Sequence, residues 1–368
     1  MKLNLISENG QMAISAFILI QLTAVVWNYE CPLDIHKECN CKKTDTLFEF
    51  NCTKSNETIS MEHFKASSVL KFNCTNVSSA DDGDIFKLLN FNPTNVVVGG
   101  LEMILHSCPI SVVMQIGGSI MNHIETSSFE IIANDLVTLP ANILPNRTAL
   151  TYLGIKGSRL TTLPEKMFKN LTELDVLIVG GSIKTLSDDI FDVLFKLRGL
   201  ELNRNQLITL PTTIFKNLTA LITLNLSENK LKSLENNIFQ QQLDLRRLYL
   251  NNNKLQTLDA NIFKNQLWLE WLSLSQNELQ TLPANIFQYQ TRLKELDLSG
   301  NQLHTINANV FEPRGHWELD MRLEENPWQC DCNFLKFVQI FMENLNGQTK
   351  CVDGKSVQSK LEENTCQF

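Results

Sequence analysis

The chain has 368 residues, of which 43% are hydrophobic, and it carries a formal net charge of -8. This length suggests two or three globular domains unless an internal repeat organises the chain. The acidic balance argues against a nucleic-acid partner, which would require a basic stripe to face the phosphate backbone.

The N-terminal segment contains an apolar stretch from Met12 to Trp27. This stretch is shorter than the about 20 residues needed to cross a bilayer. We therefore predict a signal peptide over residues 1–27, with an uncleaved signal anchor as the alternative. No second apolar run follows, so we expect a secreted, extracellular protein with no membrane span after signal removal. We also expect the chain to end as a free solenoid.

Ten cysteines fall in two groups near the ends of the chain, which is typical of disulfides formed in an oxidising compartment. They are Cys31, Cys39, Cys41, Cys52, Cys74, Cys108, Cys330, Cys332, Cys351 and Cys366. Several Asn-x-Ser/Thr sequons support the same compartment and predict a glycoprotein. The sequons begin at Asn51, Asn56, Asn73, Asn76, Asn146, Asn170, Asn217 and Asn225.

Repeats begin irregularly and become regular along the chain. The segment Phe50-Asn51-Cys52 is echoed by Phe72-Asn73-Cys74, and Gly117-Gly118 is echoed by Gly180-Gly181. We predict a cysteine-rich cap over residues 28–60 that merges into the first repeat. Repeats follow over residues 61–324, uneven to about 133 and regular from about 134. Roughly a dozen coils are expected, about 55 Å along the axis at the strand spacing.

The regular repeat has a period of 24 residues. Asparagines recur at that step, and a phenylalanine recurs at positions 191, 215, 239, 263, 287 and 311. The spacing Leu248-x-Leu250 has the period of a strand with both leucines on one face. Stacking such strands gives a parallel sheet with a shared core. We expect the asparagines to form a hydrogen-bonded ladder and the phenylalanines to fill the opposite side of the core.

This pattern resembles the extracellular leucine-rich-repeat family of the 24-residue type (LxxLxLxxNxLxxLPxxxFxxL), found in Toll-like receptor ectodomains, Slit and secreted arthropod proteins. Leu160-Thr-Thr-Leu163-Pro164 with Phe168 follows it closely. The resemblance implies a horseshoe solenoid with short parallel strands on the concave face, an irregular or 3-10 convex side, and disulfide caps at both ends. Ser158 replaces one asparagine and the unit around Val179 to Ile183 is one residue short, so the ladder should be irregular there.

The resemblance also implies the pairing of most cysteines. In a C-terminal cap over residues 325–368 it implies Cys330 with Cys351 and Cys332 with Cys366, beside a short helix around Phe334 to Phe341. In the N-terminal cap it implies Cys31 with Cys41 and Cys39 with Cys52. The pairing of Cys74 and Cys108 stays open, and Cys52 bonded to Cys74 is an alternative. A metal or redox role for Cys330-x-Cys332 is a further alternative, disfavoured by its spacing.

Residues that would carry chemistry are sparse. The histidines form no metal-binding pair at helical spacing, and the glycine doublets are typical of turns, not of a phosphate-binding loop. We therefore predict no enzyme activity, no metal and no cofactor.

Side chains on the outward face of the sheet give the candidate binding surface. Arg247, Tyr249 and Trp271 are residue types that anchor interfaces, and Glu295 and Asp297 flank them. We expect this face to bind an extracellular protein or glycan ligand, in innate-immune recognition or extracellular signalling. The alternatives are an ordinary solvated face and, for function, a matrix component of the small leucine-rich type. A glycan on Asn225 would obstruct this face and move binding to an edge or to the convex side.

Overall fold

The computed structural model describes residues 39–44, 47–52, 69–73, 101–106, 126–132, 137–139, 144, 150–311, 319–341, 345–346, 349–363 and 366. The chain divides into two units, Met1–Glu30 and Cys31–Phe368, and every described residue belongs to the second. The predicted signal peptide lies outside the described residues. So do Cys31, Cys74, Cys108, Asn56, Asn76 and Asn146.

The described residues form a sheet of 14 strands that follow one another in sequence order. The first two strands are antiparallel, and every later neighbour is parallel. This arrangement is the parallel-strand solenoid predicted from the repeats. The strands are β1 (Cys39–Thr44), β2 (Leu47–Cys52), β3 (Val69–Asn73), β4 (Leu101–His106), β5 (Thr126–Ile132), β6 (Tyr152–Lys156), β7 (Val176–Gly180), β8 (Gly199–Glu201), β9 (Thr223–Asn225), β10 (Arg247–Tyr249), β11 (Trp271–Ser273), β12 (Glu295–Asp297), β13 (Asp320–Arg322) and β14 (Leu345–Asn346).

The strand register reproduces the 24-residue period. Leu224 of β9 lies opposite Leu248 of β10, which lies opposite Leu272 of β11. Between β7 and β8, Leu177 lies opposite Leu200, one residue fewer than the regular step. The short unit predicted from the sequence is therefore confirmed.

Spacing in the N-terminal part is uneven, as the sequence predicts. Leu47 of β2 lies opposite Val69 of β3, whereas Val69 lies opposite Glu102 of β4, so the intervening segments differ greatly in length. The register between β4 and β5 also shifts between Leu101 and Glu102. Parallel pairing nevertheless continues through these coils.

An asparagine ladder runs along one edge of the strands. The Asn253 side-chain nitrogen donates to the backbone oxygens of Leu226 and Leu250 at 3.0 Å each, and its oxygen accepts from the Leu231 amide at 3.1 Å. These bonds satisfy buried backbone groups where the chain leaves each strand. The same bonds are made by Asn205, Asn229, Asn253, Asn277, Asn301 and Asn326.

The ladder changes character upstream of Asn205. There Ser182 occupies the equivalent position, and its hydroxyl donates to the Ser158 backbone oxygen at 2.7 Å. The predicted irregularity is confirmed, because a serine side chain is too short to bond both its own coil and the preceding one.

The core consists of the inward leucines and a column of phenylalanines on the other side of each coil. Phe239 and Phe263 are fully buried and their ring centroids are 6.4 Å apart. A glutamine column accompanies them: the side-chain nitrogen of Gln266 donates to the Phe239 backbone oxygen at 2.6 Å. The column contains Gln242, Gln266 and Gln290, and sequence patterning does not predict it.

The C-terminal cap closes the last coil. Cys330 is bonded to Cys351 and Cys332 to Cys366, the two pairs that the resemblance implies. Helix α1 (Cys332–Phe341) covers the core, and a second helix, α2 (Val357–Glu362), follows. A 3-10 helix (Ala308–Phe311) precedes the cap.

Packing in the cap is largely aromatic. Trp328 is fully buried, stacks on Phe334 at 4.3 Å between ring centroids, and donates to the Leu323 backbone oxygen at 2.8 Å. Phe337 of α1 extends the phenylalanine column, with its ring 6.2 Å from that of Phe311. Ile340 of the same helix is 37% exposed, because it lies on the outer side of α1.

At the N-terminal end, the antiparallel register of β1 and β2 places the backbone positions of Cys39 and Cys52 opposite each other. These are two cysteines that the resemblance pairs. No helix among the described residues is long and apolar enough to cross a membrane.

Candidate interaction surface

The outward side chains of strands β8 to β13, here called the strand face, contain the residues predicted to bind. Leu248 and Leu250 point inward and are fully buried, whereas Arg247 and Tyr249, which alternate with them, are half-buried on the outer side. The predicted residues therefore lie on three adjacent strands. Arg247 and Tyr249 are on β10, Trp271 is on β11, and Glu295 and Asp297 are on β12.

An aromatic pair forms the centre of the strand face. The rings of Tyr249 and Trp271 have centroids 6.5 Å apart and are tilted by 44°. Arg247 lies opposite Trp271 in the register and makes no ion pair with any described residue. Burial raises the pKa of Tyr249, so its phenol stays protonated and can donate a hydrogen bond. Large aromatic area beside an uncommitted guanidinium is typical of binding hot spots.

An acidic group flanks the aromatic pair. Burial raises the pKa of Glu295, with smaller contributions from Asp320 and Asp297, while Arg322 opposes the rise. Asp297 is held in place because it accepts from the Ser299 amide at 3.0 Å and from the Ser299 hydroxyl at 2.6 Å. This end of the strand face favours a ligand with positive charge.

Glu201 of β8 is a further acidic residue of the strand face, and it was not among the predicted binding residues. It is only 7% exposed, and burial raises its pKa from 4.5 to about 7, against a lowering influence of Lys156. The sequence signal was an acidic residue at an outward position beside Gly199. Its burial depends on neighbouring coils and cannot be read from one repeat.

Asn225 lies on β9, between Glu201 and Tyr249 in the register. Its side-chain oxygen accepts from the Ser227 amide at 3.0 Å and from the Ser227 hydroxyl at 2.7 Å. A glycan attached to its nitrogen would cover the middle of the strand face. The glycan that we expected to obstruct binding would therefore lie on β9, between Glu201 and Tyr249.

The other described sequons lie elsewhere. Asn51 and Asn73 are opposite each other in β2 and β3. Asn170 and Asn217 lie in the segments that precede β7 and β9, and the Asn217 side-chain nitrogen donates to the Asp192 backbone oxygen at 2.9 Å. Neither of these last two is on the strand face.

A second group of exposed apolar residues, here called the apolar edge, precedes strands β10 to β12. Trp268 is 39% exposed, and the Arg292 guanidinium lies 3.8 Å from the centre of its ring. Sequence reasoning missed this group because these positions carry no fixed residue type in the repeat. The apolar edge consists of Leu243, Leu267, Trp268 and Tyr289.

Within the described part of the chain, no group of three or more histidine, cysteine, aspartate or glutamate side chains is arranged to hold a metal ion. The strand face instead presents aromatic rings, two arginines and carboxylates on a sheet. Such a surface can bind a partner by packing and charge without any reacting group.

Family models match most of the regular coils. The model described as "Leucine rich repeat" matches residues 243–303 and 269–313, and the model described as "BspA type Leucine rich repeat region (6 copies)" matches residues 107–198 and 138–270. A comparison with individual curated proteins gives no match. Solenoids of this kind are typically scaffolds that bind proteins, not enzymes. The matches and the stacked parallel coils together show that the chain is a leucine-rich repeat protein.

Proposed function

We propose that this chain is a secreted recognition protein that binds an extracellular protein partner through the strand face, in innate-immune recognition or extracellular signalling. The observation that carries the proposal is the half-buried Tyr249–Trp271 pair beside Arg247. Aromatic and arginine side chains held on a rigid scaffold contribute binding energy with little loss of conformational entropy.

Secretion is supported by three independent features of the chain. An apolar segment of signal-peptide length lies near the N-terminus, and eight sequons follow it. The C-terminal cap contains two disulfides, Cys330–Cys351 and Cys332–Cys366, whose cysteines are 21 and 34 residues apart, respectively. Disulfides of this kind persist in oxidising compartments and are rare in the cytosol.

A protein partner is favoured over a glycan by the charge of the strand face. Glu201, Glu295 and Asp297 lie on both sides of the aromatic pair. Acidic or sulfated glycans would be repelled by these carboxylates, whereas a protein surface with apolar and basic side chains is complementary to them. A neutral glycan would stack on Trp271 and donate hydroxyl hydrogen bonds to the carboxylates, so it is the competing ligand that the screen below distinguishes.

The test is a screen of the secreted protein against displayed extracellular proteins, glycans and microbial surfaces. The triple variant Arg247→Ala, Tyr249→Ala, Trp271→Ala is screened in parallel, with Trp268→Ala of the apolar edge as the matched aromatic control. We expect protein hits that the triple variant loses and the control retains. Hits that survive the triple variant, or that depend on Trp268 instead, contradict binding through the strand face.

A further inference from the structure

The Glu201 carboxylate has no partner within the described part of the chain. It accepts no hydrogen bond and forms no ion pair there, although the residue is only 7% exposed. A buried carboxylate without a partner is costly, since it loses its hydration without compensation. Such a group requires a physical explanation.

The cations around Glu201 are committed to other carboxylates. Lys156 Nζ lies 2.6 Å from Glu130 Oε1. Arg198, which directly precedes β8, bonds both oxygens of Asp175 at 2.5 and 3.0 Å. Each of these pairs links neighbouring coils without involving Glu201.

The cation that follows β8 is also paired with another carboxylate. Arg204, three residues beyond Glu201, lies 3.0 Å from Glu228 in the next coil. These three ion pairs leave the Glu201 carboxylate without a paired cation among the described residues. Arg247, an arginine of the strand face without an ion pair there, lies two strands away on β10. A basic side chain of a partner would supply the positive charge at Glu201.

Glu201 can be reached from outside. The fully buried side-chain oxygens without a partner in the described residues belong to Gln242, Gln266, Gln290 and Thr349. Glu201 is not among them, so its carboxylate keeps contact with the surface. The neighbouring outward position, Gly199, carries no side chain. A Cβ added at Gly180 would meet only the Asn203 backbone oxygen, at 3.9 Å, so space also remains open on the adjacent strand.

We propose that Glu201 is the subsite of the strand face that receives a basic side chain, lysine or arginine, of the protein partner. This inference rests on the proposed function and specifies the chemistry of the partner. Glu201 on β8 and Tyr249 on β10 are separated by two strand spacings, about 10 Å. An extended segment covers that distance in about three residues. The partner therefore presents a basic residue about three positions from an apolar or aromatic one.

Charge on Glu201 makes this contact dependent on pH. Burial holds the pKa of Glu201 at about 7, and the charged or titratable groups that influence it are Lys156 from β6 and Tyr249 from β10. A cationic side chain binds the ionised carboxylate, so binding at pH 6 has to remove a proton first. Affinity is expected to rise about tenfold between pH 6 and pH 8, following the ionised fraction.

The test uses a displayed library of linear twelve-residue peptides, selected at pH 8 against the intact secreted protein. Selected peptides are then measured on Glu201→Gln, which keeps the shape of the side chain, and on Glu235→Gln, which removes one exposed charge outside the strand face. We expect selected peptides to share a lysine or arginine and to bind Glu201→Gln at least tenfold more weakly. Glu235→Gln should be unaffected, and the pH dependence should disappear in Glu201→Gln.

A norleucine version of each peptide identifies the contact, because replacing the basic residue should weaken binding to wild type but not to Glu201→Gln. Peptides that depend on Tyr249 and Trp271 but share no basic residue, or that bind Glu201→Gln equally well, overturn this inference and leave the proposed function standing. Peptides that depend on none of the strand-face residues overturn both.

Discussion

The side-chain oxygen of Asn253 accepts a hydrogen bond from the Leu231 backbone amide of the preceding coil at 3.1 Å. Replacing Asn253 by alanine leaves that buried amide without its acceptor and removes one donor each from the Leu226 and Leu250 backbone oxygens. Those two oxygens keep the bonds donated by Asn229 and Asn277. We expect Asn253→Ala to lower the free energy of unfolding by about 2 to 4 kcal/mol, measured by urea denaturation. Asn251→Ala, two residues after β10 in the same coil, is the control. Equal effects of the two substitutions would contradict a structural role of the ladder.

For the glutamine column we expect a smaller loss of stability than for the asparagine ladder. Gln266 Nε2 bonds the Phe239 backbone oxygen, but its Oε1 is buried without a partner among the described residues. Earlier coils place Leu218 at the equivalent position. Gln266→Leu loses two hydrogen bonds, to the backbone oxygens of Phe239 and Gln242, and removes one unsatisfied atom. The Phe239 oxygen keeps the bond from the Gln242 amide at 3.2 Å, so we expect a change below about 1 kcal/mol. Gln266→Ala leaves a cavity and should cost about 2 kcal/mol or more. A loss above about 3 kcal/mol in Gln266→Leu would show that the hydrogen bonds dominate.

Helix α1 should stabilise the last coil through its inner side only. Phe337 is fully buried against Phe311, whereas Ile340 is partly exposed. We expect Phe337→Ala to cost about 3 to 5 kcal/mol and Ile340→Ala less than about 1 kcal/mol. Thermal unfolding of the two variants compares them directly, and a larger loss for Ile340→Ala would contradict the packing of the cap.

Glu201 should make stability depend on pH. Its pKa is raised from 4.5 to about 7 in the folded protein, so the folded state holds a proton that the unfolded state releases. The contribution of Glu201 to the free energy of unfolding therefore falls as pH rises from about 4.5 to about 7, and it stays low above pH 7. Between these two pH ranges the free energy of unfolding changes by about 3 kcal/mol at most because of this group.

Glu201→Gln isolates this contribution from that of other groups. We expect the variant to be close to wild type in stability at pH 4.5 and more stable than wild type at pH 8, measured by urea denaturation at both values. A stability difference between the two proteins that does not change with pH would show that the Glu201 pKa is not raised.

Glycan occupancy at Asn225 decides whether the strand face is open. We expect peptide mapping of the secreted protein to find Asn225 unmodified, because a glycan there would separate Glu201 from Tyr249 and cover both. Asn217, which lies outside the strand face, is the internal comparison. Full occupancy at Asn225 would rule out partner binding across β8 to β10.

Much of the fold follows from short-range spacing in the sequence. The Leu248-x-Leu250 period predicts the strands, the asparagine step predicts the ladder, and the short unit before Ile183 predicts the register change between β7 and β8. These features depend on residues within one coil or its neighbour. The cap pairs Cys330–Cys351 and Cys332–Cys366 required the family resemblance in addition.

Features that depend on packing between coils could not be predicted in this way. The burial of Gln266 and its place in the glutamine column could not be predicted, because a glutamine at a position occupied by leucine in another coil suggests an exposed side chain. Glu201 is an outward residue whose burial is set by the sizes of side chains on adjacent strands. Trp268 occupies a position with no fixed residue type, so its exposure became evident only from the structure.

The central claim is that the strand face binds the partner, and one comparison of affinities tests it most directly. The dissociation constant of a captured protein partner is measured for wild type, Trp271→Ala and Trp268→Ala, with secretion and melting temperature confirming that each variant folds. We expect Trp271→Ala to weaken binding by about 2 kcal/mol or more, roughly thirtyfold, and Trp268→Ala to change it less than threefold. Unchanged affinity in Trp271→Ala, with binding lost in Trp268→Ala, would contradict the claim and place the partner on the apolar edge.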